Sequence, residues 1–537
     1  MAGLRHAAQR LAHGTSGGHG RGDAAGQRGH RRPVAQHRRR RVGPGRGRRT
    51  DRCQRVLLAG LADQRHQPQG GDLLPRLAAA VHRGRCAGQD DRFPGARRLV
   101  RAAERAVPGR PGDAGGAAAE LAAEREGAAR AARPVGAAVH RPGAAAGAGR
   151  SLTRPTDGDT PMLLSEDHRA VQDAVRAYVQ DQIAPHAARW DKEHHFPAEQ
   201  LKGLAALGCY GVAVPAEYDG AGLDYLALAI ILEEIGAGDG GTSTVVSVNN
   251  CPVCSILMAF ANEAQKQQFL KPLARGEMLG AFCLTEPHVG SEAGGLKTTA
   301  VRDGDHYVLD GVKQFITSGQ HGDVAIVMAV TDKAAGKRGI SAFLVPTSTP
   351  GYTVARLEDK MGQHSSDTAQ INFDQCRIPA SYRLGEEGQG LKIALSGLEG
   401  GRIGIASQSV GMARAAFEAA LAYSKDRIAF GTAIFNHQAV QFRLADMAMQ
   451  IEAARQLIWH AASLKDAGLP CLKEAAMAKL FASEMAEKVC SAAIQTFGGY
   501  GYVSDFPVER IYRDVRVCQI YEGTSDVQRI LIGRALA

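Results

Sequence analysis

The sequence predicts an α+β chain in which a helical domain, a β domain and a second helical domain follow one another, behind a front segment unable to build a core. Three observations carry this. Apolar residues recur at helical spacing from Ser165 to about Ala281, and the period shortens to that of strands from about Phe282 to Ile378. Long helical periodicity returns after Gly390, and the composition breaks near residue 161. Domains are therefore expected at 1–161, 162–281, 282–390 and 391–537.

The front segment differs from the rest in kind. Residues 1–161 hold 31 Arg, no Lys and 13 acidic residues, a balance of +18; residues 162–537 hold the remaining 34 basic and 42 acidic residues, a balance of −8. The front also lacks Ile, Tyr, Trp and Asn, with Phe93 its one aromatic. Burial of Ala with scattered Leu and Val would not offset the entropy of ordering such a chain, so disorder is expected. A nucleic-acid-binding arm would want aromatic or structured elements, and a transit peptide would be Ser-rich and shorter. The favoured reading is GC-rich upstream DNA translated from a start set too early, with Met162 the true first residue.

From Ser165 onward each element has its own signal. Ser165 with Glu166 and Asp167 reads as a cap and acidic first turn, and Val171, Val175, Val179 and Ile183 follow on one face. Tyr225 to Ile235 is a strongly apolar helical run between Gly-rich breaks. The runs 306–311, 324–328, 341–346 and 370–373 are β-rich and closed by turn residues. Leu391 to Arg427, Ala439 to Ala467 and Cys471 to Phe497 read as long helices. No stretch approaches the eighteen or more continuous apolar residues of a membrane span, and no signal peptide is evident. Ten scattered Cys suit a reducing compartment, and the lone CxxC of Cys251 and Cys254 reads as buried thiols, without a metal. A cytoplasmic, bacterial protein is expected.

Five segments carry candidate chemistry. The first, Phe282-Cys283-Leu284-Thr285-Glu286-Pro287-His288-Val289-Gly290-Ser291, is rich in small residues that let backbone N–H groups approach ring and phosphate oxygens; alone it also reads as a strand-end loop. Phe315-Ile316-Thr317, alone, is most simply part of the core. Glu399-Gly400-Gly401-Arg402 lies at a Gly break within a helical region, and its Arg reads either as a buried counter-charge or as a surface ion-pair partner. Arg427-Ile428-Ala429-Phe430-Gly431 with Gln438, and then Gln495-Thr496-Phe497-Gly498-Gly499, combine a guanidinium fork suited to phosphate with glycines open to close approach. Ile520-Tyr521-Glu522-Gly523-Thr524-Ser525 sets a carboxylate just before a hydroxyl cap for the final helix.

In this order, across residues 163–536, the five segments resemble the acyl-CoA dehydrogenases, most closely members acting on short or short branched chains. The resemblance implies a middle β-barrel or sandwich between an N-terminal helical domain and a C-terminal four-helix bundle. It also implies an FAD-dependent oxidoreductase acting on a CH–CH bond, with Glu522 as the catalytic base. By resemblance Phe282, Leu284, Thr285, Ser291, Phe315, Ile316 and Thr317 line the flavin, Phe315 standing where the family more often has Trp. Arg427, Phe430, Gln438, Gln495, Gly498 and Gly499 reach the FAD of a neighbouring subunit, and Thr524 and Ser525 also contact cofactor. Ser291, Glu399, Arg402, Tyr521 and Gly523 meet the acyl-CoA. A homo-oligomer, usually a dimer of dimers, follows.

The implied reaction removes the α-proton of the thioester to Glu522 while the β-hydrogen leaves as hydride to the flavin. The product is a trans-2-enoyl-CoA, and electrons pass to electron-transferring flavoprotein. The Glu522 backbone N–H and a ribityl hydroxyl would hold the thioester oxygen, and a water-poor pocket should raise the Glu522 pKa toward working pH. Ser396 and Gly397, small residues at the pocket floor, point to a short to medium or branched acyl group. Two rivals share the fold: an acyl-CoA oxidase, and a DNA-associated flavoprotein. The balance of −8 after residue 161 argues against the second, so neither nucleic acid nor membrane is expected as a partner.

Overall fold

The computed structural model describes residues 164–537. The expectations for residues 1–161 and for Met162 lie outside the described residues. Ser165 caps helix α1 (Glu166–Gln182) by accepting the His168 N–H at 3.2 Å, with Glu166 and Asp167 in the first turn. Val171, Val175, Val179 and Ile183 form its buried stripe. That stripe packs against α2 (Tyr225–Gly238), which is apolar nearly all round because protein surrounds it. Helix α3 (Gly240–Val248) opens with Asp239 accepting the Thr242 N–H at 2.8 Å. Helical structure continues to Phe260, and the run Gly240–Phe260 is, contrary to expectation, long and apolar enough to cross a membrane. Its apolar window is 78% buried inside the protein, as a core helix would be.

The β domain is one eight-stranded sheet built from β1 (Gly280–Cys283), β2 (Thr299–Asp303), β3 (His306–Thr317), β4 (Val324–Val330), β5 (Ile340–Pro346), β6 (Tyr352–Leu357), β7 (Thr368–Pro379) and β8 (Arg383–Leu384). Its order is β6-β7-β3-β2-β4-β5-β8, with β1 paired to β4. The two halves are joined by the short parallel contact of Thr299 with Val330. Side chains from both halves then share a core, among them Ala325, Val327, Leu309 and Ile371. The architecture is thus sandwich-like while hydrogen bonding stays continuous. On the other face of β4, Val324, Ile326 and Met328 pack against the helices, which explains why that strand reads as continuously apolar.

Helices α4 (Gly390–Asp426), α5 (Gln438–Asp466) and α6 (Leu472–Phe497) form the C-terminal bundle. The shorter α7 (Val508–Val515) packs on α4 and α6, and α8 (Ser525–Ala535) on α6. The predicted Gly break is absent, since α4 runs unbroken through Gly400-Gly401. Helix α4 also packs on α2 and β5, so it touches all three domains. An ion-pair cluster locks the helical domains together. Glu234 of α2 is buried between Arg176 of α1 (2.8 Å) and Arg414 of α4 (2.6 Å), and Glu233 pairs with Arg455 of α5 at 2.8 Å.

Candidate active site

The turn before α8 presents Glu522. Its φ is +55° and that of Gly523 is +89°, and a non-glycine residue in the left-handed region costs about 1–3 kcal/mol unless its surroundings hold it there. Thr524 caps α8 by accepting the Val527 N–H at 3.4 Å. Helix α4 brings Gly401 against the Glu522 side chain. A methyl group at position 401 would lie 2.8 Å from the carboxyl carbon, so the glycines sequence reasoning took for a helix break are there for close approach instead.

Glu522 Oε2 is buried without a hydrogen-bond partner, and so are Nε and Nη1 of the buried Arg402. Burial pushes the Glu522 carboxyl up to about 7, against the pull of the Arg402 and Lys479 cations, which on their own would lower it. Such a group is half-ionised near neutral pH and keeps a free lone pair. It can accept a proton from a weak carbon acid.

The first two sequence segments meet at the end of β1. The Gln314 N–H donates to the Thr285 carbonyl at 2.9 Å, and buried Lys313 Nζ donates to the Leu284 carbonyl at 3.1 Å and to Glu286 Oε1 at 2.8 Å. Glu286 also accepts the Lys297 and Thr298 N–H groups, which fixes the loop. A bulge in β3 turns Phe315 outward with φ +60° and 62% exposure, so it is no core residue. Ile316 and Leu284 are buried, Phe282, Thr285 and Thr317 are half-buried, and Ser291 is exposed. An exposed aromatic on a strained backbone, beside a pinned hydroxyl loop, fits the face of a flavin ring. The buried, unpartnered Ser525 Oγ adds a hydroxyl still free to bond.

Other predicted residues are committed elsewhere. The Tyr521 hydroxyl takes a bond from Gln408 Nε2 at 2.9 Å and lies 3.4 Å from Thr244 Oγ1, so it is spent inside the protein. Through Thr244 it connects to Gln363 of the β domain at 2.7 Å, which ties the three domains together behind Glu522. Glu399 pairs with Lys465 at 3.0 Å and accepts the Cys471 thiol at 3.4 Å. Gly397 does not widen the site, because Ile256 and Pro252 fill the space its side chain would take, and Ser396 is exposed. Cys251 and Cys254 are buried free thiols whose pKa values burial pushes up.

The fourth segment forms a separate outer cluster. Arg427 lies over the Tyr500 ring at 5.8 Å, and a shallow pocket there is lined by Tyr423, Arg427, Phe497, Gly498 and Gly499. Phe430 is 97% exposed at the tip of the two-stranded hairpin of Ile428–Ala429 and Thr432–Ala433; Gln438 at the start of α5 and Gln495 near the end of α6 are also exposed. Among the described residues, no hydrogen bond or ring contact joins this cluster to Glu522 or to Phe315.

Sequence reasoning missed Lys479 and Gln528, whose side chains reach the Glu522 turn, and it gave Lys313 no role. A signal existed for the first, since Lys479 falls at helical spacing among Ala475, Ala482 and Ala486 on a buried face, where a charge needs a reason.

The chain matches family models described as acyl-CoA dehydrogenase N-terminal domain over residues 165–277, middle domain over 281–376 and C-terminal domain over 388–537. It is 48% identical over 369 residues to the mitochondrial short-chain specific acyl-CoA dehydrogenase of Homo sapiens, covering 69% of this chain and 90% of that protein. It is 42% identical to the short-chain specific acyl-CoA dehydrogenase of Clostridium acetobutylicum, covering 69% and 97%. Among solved structures it resembles butyryl-CoA dehydrogenase from Megasphaera elsdenii, with a TM-score of 0.69, 41% identity and coverage of 70% of this chain and all of that one.

Proposed function

The chain belongs to the acyl-CoA dehydrogenase family, and from that premise we propose that it oxidises a short-chain acyl-CoA, with Glu522 removing the α-proton and electron-transferring flavoprotein taking the electrons. It is an FAD-dependent oxidoreductase. Bound FAD supplies the acceptor for the β-hydrogen; the rest falls to the chain's own groups.

One observation carries the reading: Glu522 Oε2 is buried without a hydrogen-bond partner, and that burial pushes the carboxyl up to about 7. A carboxylate titrating in its ordinary range would be a far weaker base toward a thioester α-proton. Gly401 leaves the room that keeps the carboxylate in place, and Arg402 offers unpaired donors beside it. Thr285, Phe315, Thr317 and Ser525 would hold the flavin end of the cofactor. The exposed cluster of Arg427, Phe430, Gln438, Gln495, Gly498 and Gly499 would meet the cofactor of a second copy, so the working unit is a homo-oligomer. The short-chain assignment rests on the filled space at Gly397 and on the names of the relatives.

The test is anaerobic mixing of the FAD-loaded protein with butyryl-, hexanoyl-, octanoyl- and isobutyryl-CoA. Flavin absorbance should bleach fastest with butyryl-CoA, and electron-transferring flavoprotein should restore it. No bleaching by any thioester would overturn the assignment, and stoichiometric peroxide release in air would make the protein an oxidase.

A further inference from the structure

Burying a lysine ammonium is costly, and such groups persist where they serve a partner. Lys479 of α6 has no exposure, and among the described residues no carboxylate oxygen lies within ion-pair distance of it. Its Nζ instead donates to the Gly523 carbonyl at 2.8 Å. Gln528 of α8, also without exposure, donates from Nε2 to the same carbonyl at 2.8 Å and to the Glu522 carbonyl at 3.2 Å. Two donors from two helices therefore converge on the turn whose backbone is left-handed at both Glu522 and Gly523. A strained turn of this kind keeps its shape only when the surroundings over-determine it.

We propose that Lys479 is a positioning residue for the base: with Gln528 it clamps the Glu522-Gly523 turn and so aims the carboxylate at the substrate. The inference rests on the reading of Glu522 as the base. Lys479 also sets charge balance in the same pocket. Groups facing Glu522 are Arg402 from α4, Lys479 from α6 and the Cys251 thiol; those facing Lys479 are Cys518, Glu522, Arg402 and Glu484. Burial lowers the Lys479 ammonium to about 8, so it is still largely charged at neutral pH. Loss of that cation removes one of the two attractions that hold the Glu522 carboxyl down, and the pH at which the base becomes active must then rise.

The experiment follows flavin bleaching by butyryl-CoA across the neutral pH range in FAD-loaded K479M, K479R, Q528L and E522Q. K479M should bleach roughly tenfold to a hundredfold more slowly, as expected when a reacting group is misplaced by about an ångström. Its acid limb should also move to higher pH, with flavin content unchanged. K479R should bring the acid limb back toward the parent position. Q528L removes a neutral donor, so it should slow bleaching without moving the limb, and it tests the clamp even if K479M does not fold. Parent rates and an unmoved limb in K479M, or a parent rate in Q528L, would overturn the proposal. E522Q separates the two readings: if it still bleaches, the base assignment has failed, whereas a dead E522Q beside a parent-like K479M sinks only the role of Lys479.

Discussion

Replacing Glu522 by Gln should stabilise the protein, and by an amount that depends on pH. A carboxyl that titrates near 7 in the folded state and at 4.5 in the unfolded chain costs about 3 kcal/mol of folding stability once fully ionised. The folded value already contains the attraction of Arg402 and Lys479, so no further correction for these cations is needed. The sign follows from linkage. A raised folded pKa means the protein binds this proton more tightly than the unfolded chain does, so the relative stability is full below 4.5 and is lost as pH rises through 7. The amide mimics the neutral acid at every pH. Glu522→Gln should therefore match the parent in denaturant or thermal unfolding at acid pH and exceed it by about 3 kcal/mol above neutrality. Equal stability of the two proteins at alkaline pH would refute the raised pKa, and with it the argument that burial readies this carboxyl to act as a base.

Gly401→Ala should push the carboxylate out of place; bleaching by butyryl-CoA should fall by about tenfold or more while FAD stays bound, and a parent rate would show that the close approach is dispensable. Lys313→Met should leave the buried Glu286 carboxylate with the Lys297 and Thr298 N–H groups and His288 as its remaining partners, and cost about 3 kcal/mol in denaturant titration at neutral pH. Burial would raise Glu286, but Lys313 holds its carboxyl below the usual range, so the parent pair contributes above 4.5 and is lost as pH falls through the lower folded value. The penalty of Lys313→Met should accordingly shrink in acid, and a penalty equal at both pH values would refute the pairing argument. Glu234→Gln should cost about 1–3 kcal/mol, because Arg176 and Arg414 both lose the buried carboxylate between them while Arg414 keeps Glu233 and Glu418, read as a lower unfolding midpoint with unchanged flavin spectrum.

Much of the molecule was legible in its sequence because period and composition are local properties. The spacing of Val171, Val175 and Val179 marks a helix with one buried face, and the apolar run of Tyr225 to Ile235 marks one buried all round. The three long helices after Gly390 begin and end within a residue of their predicted bounds, because turn residues punctuate them. Short strands such as Thr299–Asp303 and Arg383–Leu384 escaped notice, since an exposed or two-residue strand has no alternation to read. The Gly400-Gly401 pair was misread for a related reason. Glycine is the same signal for a break and for close packing, and only the neighbouring Glu522 decides between them.

The order of helical and β segments, the family, and the acid at position 522 as the group to watch can all be read from the linear pattern. Tertiary structure alone decided that this acid sits buried between Gly401, Arg402 and Lys479, that Phe315 turns outward, and that Tyr521 turns inward. The physical reason is that a pKa, a strained φ or an unpaired lone pair depends on atoms within a few ångströms. Here those atoms come from helices far apart in the chain, and no local pattern records which of them will meet.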